Sequence, residues 1–363
     1  MTRPTLMDAR ELSAWRPPLG VISVYLRFDA ADRGGSWRTE LHNGVERILE
    51  LAKDAAHERK VALRAAAARL QARFEDDELR PPPRGEVGFL AVAERAEGDR
   101  WWQTGVAPTL PTVVLAEQPA VTELVDLCDL VTGSGVALLS AERVRLLRFE
   151  DAELEELDEW ELTILSGDWR ERKARSSADP ARGHGVSSSG HDQYGERLEH
   201  NRHRFLVESG QLAAERLRRL GLEEIFVFGP RPDAEAFQKG LGSNPPRVEP
   251  CGDADLISVP RGKLIDEVAA TVARCRADRD RAVVERVLEE VLGGSRGAAG
   301  AQDVAEALDE RRVDHLVLDP SIGAASEPLV RAALAGDATI TIARAEVAEI
   351  LQRAEGVAAL LRY

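Results

Sequence analysis

Residues 134–149 read SGVALLSAERVRLLRF and contain two apolar, β-branched runs separated by a short polar stretch. The pattern is typical of a β-hairpin, and EWELTI at residues 159–164 can supply a third strand. We therefore predict an antiparallel meander in the centre of the chain, within a mixed β-sheet flanked by helices.

The segment after the meander differs from the rest of the chain. Residues 169–190 are rich in Arg, Ser, Gly and His and have almost no large apolar residue. Apolar residues at helical spacing return at Leu198 and continue to Leu220, and the strand EIFVF follows at 224–228. A connection of this length inside a compact domain is usually functional or disordered. We predict a long basic loop over residues 169–195 as the site of function.

The first part of the chain predicts an α/β domain. VISVYLRF at 21–28 and EVGFLAVA at 86–93 are typical of strands, and shorter runs at 101–102 and 112–115 indicate further strands. Residues 38–74 lack proline and carry apolar residues at helical spacing, which indicates one long helix or a pair of helices.

The last part of the chain predicts alternating helices and strands. After a long helix over 263–292, helices are expected at 301–312, 326–335 and 343–354, each followed by an apolar strand. Such alternation is typical of an α/β/α sandwich of about 100 residues. The predicted fold class is α/β in three domains, over residues 1–132, 133–260 and 261–363.

The 363 residues include 63 acidic and 48 basic side chains, for a net charge of −15, and 44% are hydrophobic. Disorder would need fewer apolar residues, and a membrane span would need an apolar run of about 18 residues, which the sequence lacks. The chain starts without a secretory signal pattern, so we expect a cytoplasmic monomer without membrane partners. An acidic protein repels nucleic acid, so any RNA contact must be local.

Motifs for phosphate-binding loops, dinucleotide folds, zinc hydrolases and serine hydrolases are absent from the sequence. Basic residues instead gather in and after the predicted loop. A flexible, positively charged segment can follow an RNA backbone; the alternative is a solvated loop without a role. The expected RNA-binding residues are Arg170, Arg172, Lys173, Arg175, Arg182, Arg197, Arg202 and His203.

Two groups of side chains could hold a metal ion, and for both we favour a plainer interpretation. Four histidines fall within residues 184–203, but no cysteine is near them, and His203 can equally pack or meet a phosphate. The carboxylates of residues 153–159 could bind Mg²⁺, although such a run is usually a solvated face. Three widely spaced cysteines form no zinc motif, and Cys128 is expected to be a core thiol. We predict neither a metal nor another cofactor.

Several segments resemble the archaeal and eukaryotic class 1 peptide release factors and their relative pelota. The order of meander, basic loop, helix and the strand ending in Phe228-Gly229-Pro230 resembles their central domain, and RLEHNRHRF at 197–205 resembles the helix after their Gly-Gly-Gln loop. EGVAALLRY at 355–363 resembles a segment of their third domain, which implies an L7Ae-like fold here. YLRF at 25–28 and the form of the loop resemble the bacterial Vms-like branch.

The resemblance implies hydrolysis of the ester bond between a nascent chain and tRNA. The implied partners are peptidyl-tRNA and the large ribosomal subunit, at the peptidyl transferase centre of its 23S rRNA. A glutamine can position a water molecule and hydrogen-bond a developing oxyanion. The loop has one glutamine, Gln193, which we assign as catalytic, and Gly183, Gly185 and Gly190 give the loop backbone freedom.

The sequence departs from this family at two motifs. GHDQ at 190–193 replaces Gly-Gly-Gln, and an alignment anchored on the following helix sets the serines of residues 187–189 opposite the motif. The codon-reading Asn-Ile-Lys-Ser motif is absent from the first domain. We therefore predict codon-independent release from stalled ribosomes or split large subunits, in ribosome rescue or quality control.

Two other functions stay open. One is a non-catalytic ribosome-binding protein, such as a hibernation or stalled-ribosome factor, whose loop occupies the peptidyl transferase centre. The other is an RNA-processing nuclease that uses the acidic run and the histidines, and such an enzyme would depend on a metal.

Overall fold

A computed structural model describes residues 3–28, 35–75, 84–162, 189–252, 255–294 and 296–363. The chain forms two compact units, residues 1–132 with 276–363, and residues 133–275. The described residues form two β-sheets in the first unit and one in the second. The predicted mixed α/β class is confirmed, and the three predicted domain boundaries stay a prediction.

The N-terminal sheet is antiparallel, with strand order β3-β2-β1-β4. Its strands are β1 (Val21–Arg27), β2 (Gly85–Ala91), β3 (Arg100–Thr104) and β4 (Thr112–Ala116). Its helices are α1 (Leu6–Ala14), α2 (Ser36–Lys53), α3 (His57–Glu75) and α4 (Thr122–Val131). Side chains alternate along β1, so Val24 packs with α2 and α3 while Tyr25 packs with α1 and α4. Residues 38–74 therefore form a pair of helices.

The sheet of the second unit has the order β7-β6-β5-β8-β9. Its strands are β5 (Ser134–Leu139), β6 (Arg143–Glu150), β7 (Glu153–Glu161), β8 (Glu224–Phe228) and β9 (Arg247–Pro250). Its helices are α5 (Ser189–Leu220), α6 (Arg231–Gly240) and the first part of α7 (Arg261–Gly293), which belongs to this unit as far as Cys275. The predicted meander is confirmed in β5–β7, and β8 and β9 extend the sheet in parallel. Leu139 packs with α5 and α6 on one face, and Leu138 packs with the start of α7 on the other.

The C-terminal sheet lies between two layers of helices. Its order is β10-β13-β11-β12, with β11 and β12 parallel. Its strands are β10 (Gly297–Ala299), β11 (Val313–Leu318), β12 (Thr339–Ile342) and β13 (Val357–Leu361). The helices that follow α7 are α8 (Ala301–Asp309), α9 (Ser326–Ala335) and α10 (Glu346–Leu351). Leu316 packs with α8 and α9, and Val317 packs with α10 and the end of α7, so the predicted α/β/α sandwich is confirmed.

Several elements differ from the sequence prediction, and helices α1 and α4 were not predicted. Strand β7 begins at Glu153, several residues before the predicted third strand, because Asp151 and Ala152 make a tight turn with φ of 53° and 58°. This left-handed turn normally favours Asn or Gly, so the sequence does not signal it. The short strand β10 was not predicted, since three small residues form no apolar run.

In the described ranges, no helix has both the length and the apolar character that a membrane crossing requires.

Candidate functional site

The predicted functional segment leads into helix α5, which begins at Ser189. The prediction of a loop through residue 195 is therefore wrong at its end, and Gly190 and Gln193 belong to helical backbone. Apolar spacing marks only the part of a helix that packs on a core, and the first nine residues of α5 (SGHDQYGER) are mostly polar. The sequence pattern could not reveal this start.

Most of the predicted site residues lie outside the described part of the chain. They are Arg170, Arg172, Lys173, Arg175, Arg182, Gly183 and Gly185, together with the side chains of Gln193 and Arg197. Their roles stay predictions.

Arg202 is one predicted RNA-binding residue that the structure does describe. Its Nη2 pairs with Asp233 of α6, whose side chain is only 6% exposed. A buried carboxylate needs such a partner to offset its desolvation, so Arg202 fastens α5 to α6. Its assignment as an RNA contact stays a prediction, and a phosphate would have to share the guanidinium with Asp233. His203, the next residue, is exposed.

Helix α5 is firmly seated on the rest of the second unit. Leu206, Ala213 and Leu217 are buried against the sheet and α6. The helix ends at Leu220. Gly221 follows it with a φ of 67°, and the Leu222 N–H donates to the Leu217 carbonyl over 3.0 Å. The segment that carries Gln193 therefore continues a helix with a fixed position.

The acidic run of residues 153–159 lies in β7, which is an edge strand of the sheet in the second unit. Three arginines of β6 pair with carboxylates of β7 across the strands. The pairs are Arg143–Glu159, Arg145–Glu156 and Arg148–Glu155. Charged side chains on an edge strand oppose pairing with other chains. These ion pairs engage three carboxylates of the run.

The described residues also contain no group of three or more His, Cys, Asp or Glu side chains arranged to hold a metal. His200 and His203 of the predicted histidine cluster are both exposed. Cys128 is buried, as expected, and burial raises the pKa of its thiol to about 12.

Two buried acids of α4 were not singled out from the sequence. Glu123 accepts the backbone N–H groups of Thr109 and Leu110, and Asp126 accepts the Thr109 hydroxyl over 3.0 Å and Arg344 Nε over 2.7 Å. Burial raises the pKa of both carboxyls, that of Glu123 to about 7. They hold the β3–β4 loop and residue 344 against α4. Because Arg344 lies 218 residues from Asp126, no local pattern could have predicted the pair.

These elements describe an α/β protein whose central sheet carries a long helix directly after a basic segment. Residues 119–247 match the sequence model of bacterial archaeo-eukaryotic release factor family 10. The match spans α4, β5–β8, α5 and α6 and confirms the release-factor resemblance for this part of the chain. The assignment to the Vms-like branch stays a prediction.

Solved structures are also similar to the chain, whereas no curated protein matches it. S. cerevisiae Dom34, a translation termination-like factor involved in RNA quality control pathways, has 10% identity and a TM-score of 0.42 over 77% of this chain and 79% of that one. A ribosome-bound archaeal Pelota has 16% identity and a TM-score of 0.40 over 100% and 95%. The archaeal translation termination factor aRF1 has 18% identity and a TM-score of 0.25 over 99% and 98%.

Proposed function

We propose that the protein is a codon-independent peptidyl-tRNA hydrolase of the release-factor type. It frees nascent chains from stalled ribosomes or split large subunits. The observation that carries this proposal is the family match over residues 119–247, because that range contains the basic segment, α5 and Gln193. The substrate is the ester bond that joins the nascent chain to tRNA.

Gln193 is proposed to position the attacking water. A carboxamide is neither acid nor base at neutral pH, but it can accept a hydrogen bond from water and donate one to the developing oxyanion. The ribosome would supply most of the remaining rate enhancement by orienting substrate and water.

The described contacts of α5 support this role, because function usually lies on segments positioned by a rigid scaffold. The Arg202–Asp233 pair and the buried Leu206 and Leu217 fix the helix on which Gln193 sits.

The proposed partners are peptidyl-tRNA and the 23S rRNA of the large subunit, in the cytoplasm. The net charge of −15 opposes general RNA binding, so the contact would depend on the basic residues from Arg170 to His203.

A second function, a non-catalytic factor that occupies the peptidyl transferase centre, is favoured by one observation. Gln193 follows GHD instead of Gly-Gly and belongs to helical backbone. A helix allows less backbone freedom than a glycine pair, so the glutamine has less freedom to enter the centre.

The two functions separate in one experiment. Purified bacterial 70S and 50S particles carrying a labelled nascent peptidyl-tRNA are incubated with the protein, and binding is followed by co-sedimentation and hydrolysis by release of the label. Release above the rate without protein supports the hydrolase and shows which particle it prefers. Tight binding without release supports the protective factor.

A further inference from the structure

Two cysteines lie side by side in the second unit. Cys251 directly follows β9 and Cys275 lies on α7, and their sulfur atoms are 3.7 Å apart. Both thiols are free and partly exposed. The third cysteine, Cys128, is buried and belongs to the other unit.

Hydrogen bonding and packing fix the backbone at both cysteines. The Cys251 N–H donates to the Val227 carbonyl over 2.8 Å, which continues the β8–β9 pairing. On α7, Val268 and Val272 are buried against the same sheet. The two sulfur atoms are therefore neighbours because regular elements place them together. The S–S bond of a disulfide is about 2.05 Å long. Side-chain rotation therefore has to shorten the sulfur–sulfur distance from 3.7 Å to about that length.

We propose that Cys251 and Cys275 form a reversible disulfide site that low-molecular-weight disulfides oxidise. One cysteine thiolate attacks the small disulfide, which gives a mixed disulfide and releases one small thiol. The other cysteine then attacks the protein sulfur of the mixed disulfide, which forms the Cys251–Cys275 bond and releases the second small thiol. Two electrons pass from the protein to the small disulfide, and the two thiol protons leave on the released thiols.

The environment sets how fast this site responds. Burial, and then the neighbouring Cys275, raise the pKa of the Cys251 thiol well above its ordinary value. Thiolate is the attacking form, so the bond forms slowly at neutral pH and faster as the pH rises. The site therefore responds to sustained oxidation. The bond closes a loop between residues 24 positions apart, which constrains the unfolded chain and stabilises the folded unit.

The test uses the full-length protein in buffers with a graded ratio of oxidised to reduced glutathione. After alkylation of free thiols, cleavage after each glutamate that is not followed by proline leaves the Glu249–Pro250 bond intact. It places Cys251 in fragment 236–267 and Cys275 in fragment 268–285. Mass spectrometry should find these two fragments joined in the oxidised protein and separate after reduction. The Tm should rise by roughly 5 °C or more on oxidation.

Three variants make the result specific. Cys251→Ser and Cys275→Ser should each lose both the joined fragment and the rise in Tm, whereas Cys128→Ser should keep both. Glutathione attached to single cysteines without joined fragments would overturn the proposal. Joined fragments that form only when the protein is unfolded in urea would also overturn it.

Discussion

Gly210 of α5 lies directly against Gly240 of α6. A Cβ atom at position 210 would come within 3.0 Å of the Gly240 Cα and 2.2 Å of the Phe237 carbonyl oxygen, and one at position 240 would come within 2.1 Å of the Val207 carbonyl oxygen. The two helix backbones therefore touch without side chains between them. This contact, together with the Arg202–Asp233 pair, sets the position of the helix that carries Gln193.

Gly210→Ala should destabilise the protein, because the new methyl group meets backbone atoms that cannot rotate away. We expect a loss of about 1–3 kcal/mol in the free energy of unfolding, measured by urea denaturation. Gly262→Ala, in α7, is the control, since no atom lies within 4 Å of its Cβ position. It should leave stability unchanged or raise it by about 0.5 kcal/mol. Equal effects of the two substitutions would contradict the packing described here.

Glu327→Ala should uncap helix α4. The Glu327 carboxylate accepts the N–H groups of Val121 over 2.8 Å and Thr122 over 3.0 Å. The N–H groups at the N-terminus of a helix have no acceptor within the helix, and this carboxylate accepts two of them. Its negative charge also interacts favourably with the helix dipole. We expect a loss of about 1–3 kcal/mol in urea denaturation. The exposed Glu349, replaced by alanine, should change stability by less than about 0.5 kcal/mol, and a loss as large as that of Glu327 would refute the capping role.

Glu123 should make stability depend on pH. Burial raises its pKa from 4.5 to about 7, so the folded protein binds more protons than the unfolded chain between these values. The free energy of unfolding is therefore higher in acid than at alkaline pH. This extra stability is present in full below pH 4.5 and is lost as the pH rises through 7. Glu123→Gln, which keeps a neutral acceptor, should exceed the wild type in stability by about 1–3 kcal/mol at alkaline pH. That difference should shrink in acid. Urea denaturation across this range checks it, and a difference independent of pH would be inconsistent with the raised pKa.

The sequence predicted those elements whose side chains face a core. Strands β1, β2, β5, β6 and β8 and helix α7 have apolar residues at the period of their secondary structure, and each was found near its predicted position. The start of α5 was missed because its first residues are polar, and the start of β7 was missed because Asp151 and Ala152 adopt a turn that their side chains do not favour.

Contacts between distant residues could not be predicted in the same way. The local sequence around a residue does not show such a contact, because only the chain topology brings the two partners together. Examples are Asp126 with Arg344 and Cys251 with Cys275. For the candidate site, the family resemblance indicated the segment and the types of residue in it. The sequence did not indicate that the backbone at Gln193 is helical.

Neutralising Arg170, Arg172, Lys173 and Arg175 together should weaken ribosome binding. Each phosphate contact contributes to the salt dependence of affinity, so the slope of log affinity against log salt concentration should become shallower. Binding measured across a salt series checks this. Neutralising the exposed Arg59 and Arg64 of α3 is the control and should leave the slope unchanged. Equal changes in both sets would indicate a general charge effect instead of a contact by the basic segment.

The most direct test of the proposed hydrolase is the rate of nascent-chain release under single-turnover conditions on 50S particles, for wild type, Gln193→Ala and Gln211→Ala. Gln211 is an exposed glutamine on the same helix and serves as the matched control. We expect Gln193→Ala to lower the rate by ~10²-fold or more while binding is kept. Gln211→Ala should retain the wild-type rate. Release by Gln193→Ala at the wild-type rate would contradict the assigned role, and absence of release by the wild type itself would contradict the hydrolase.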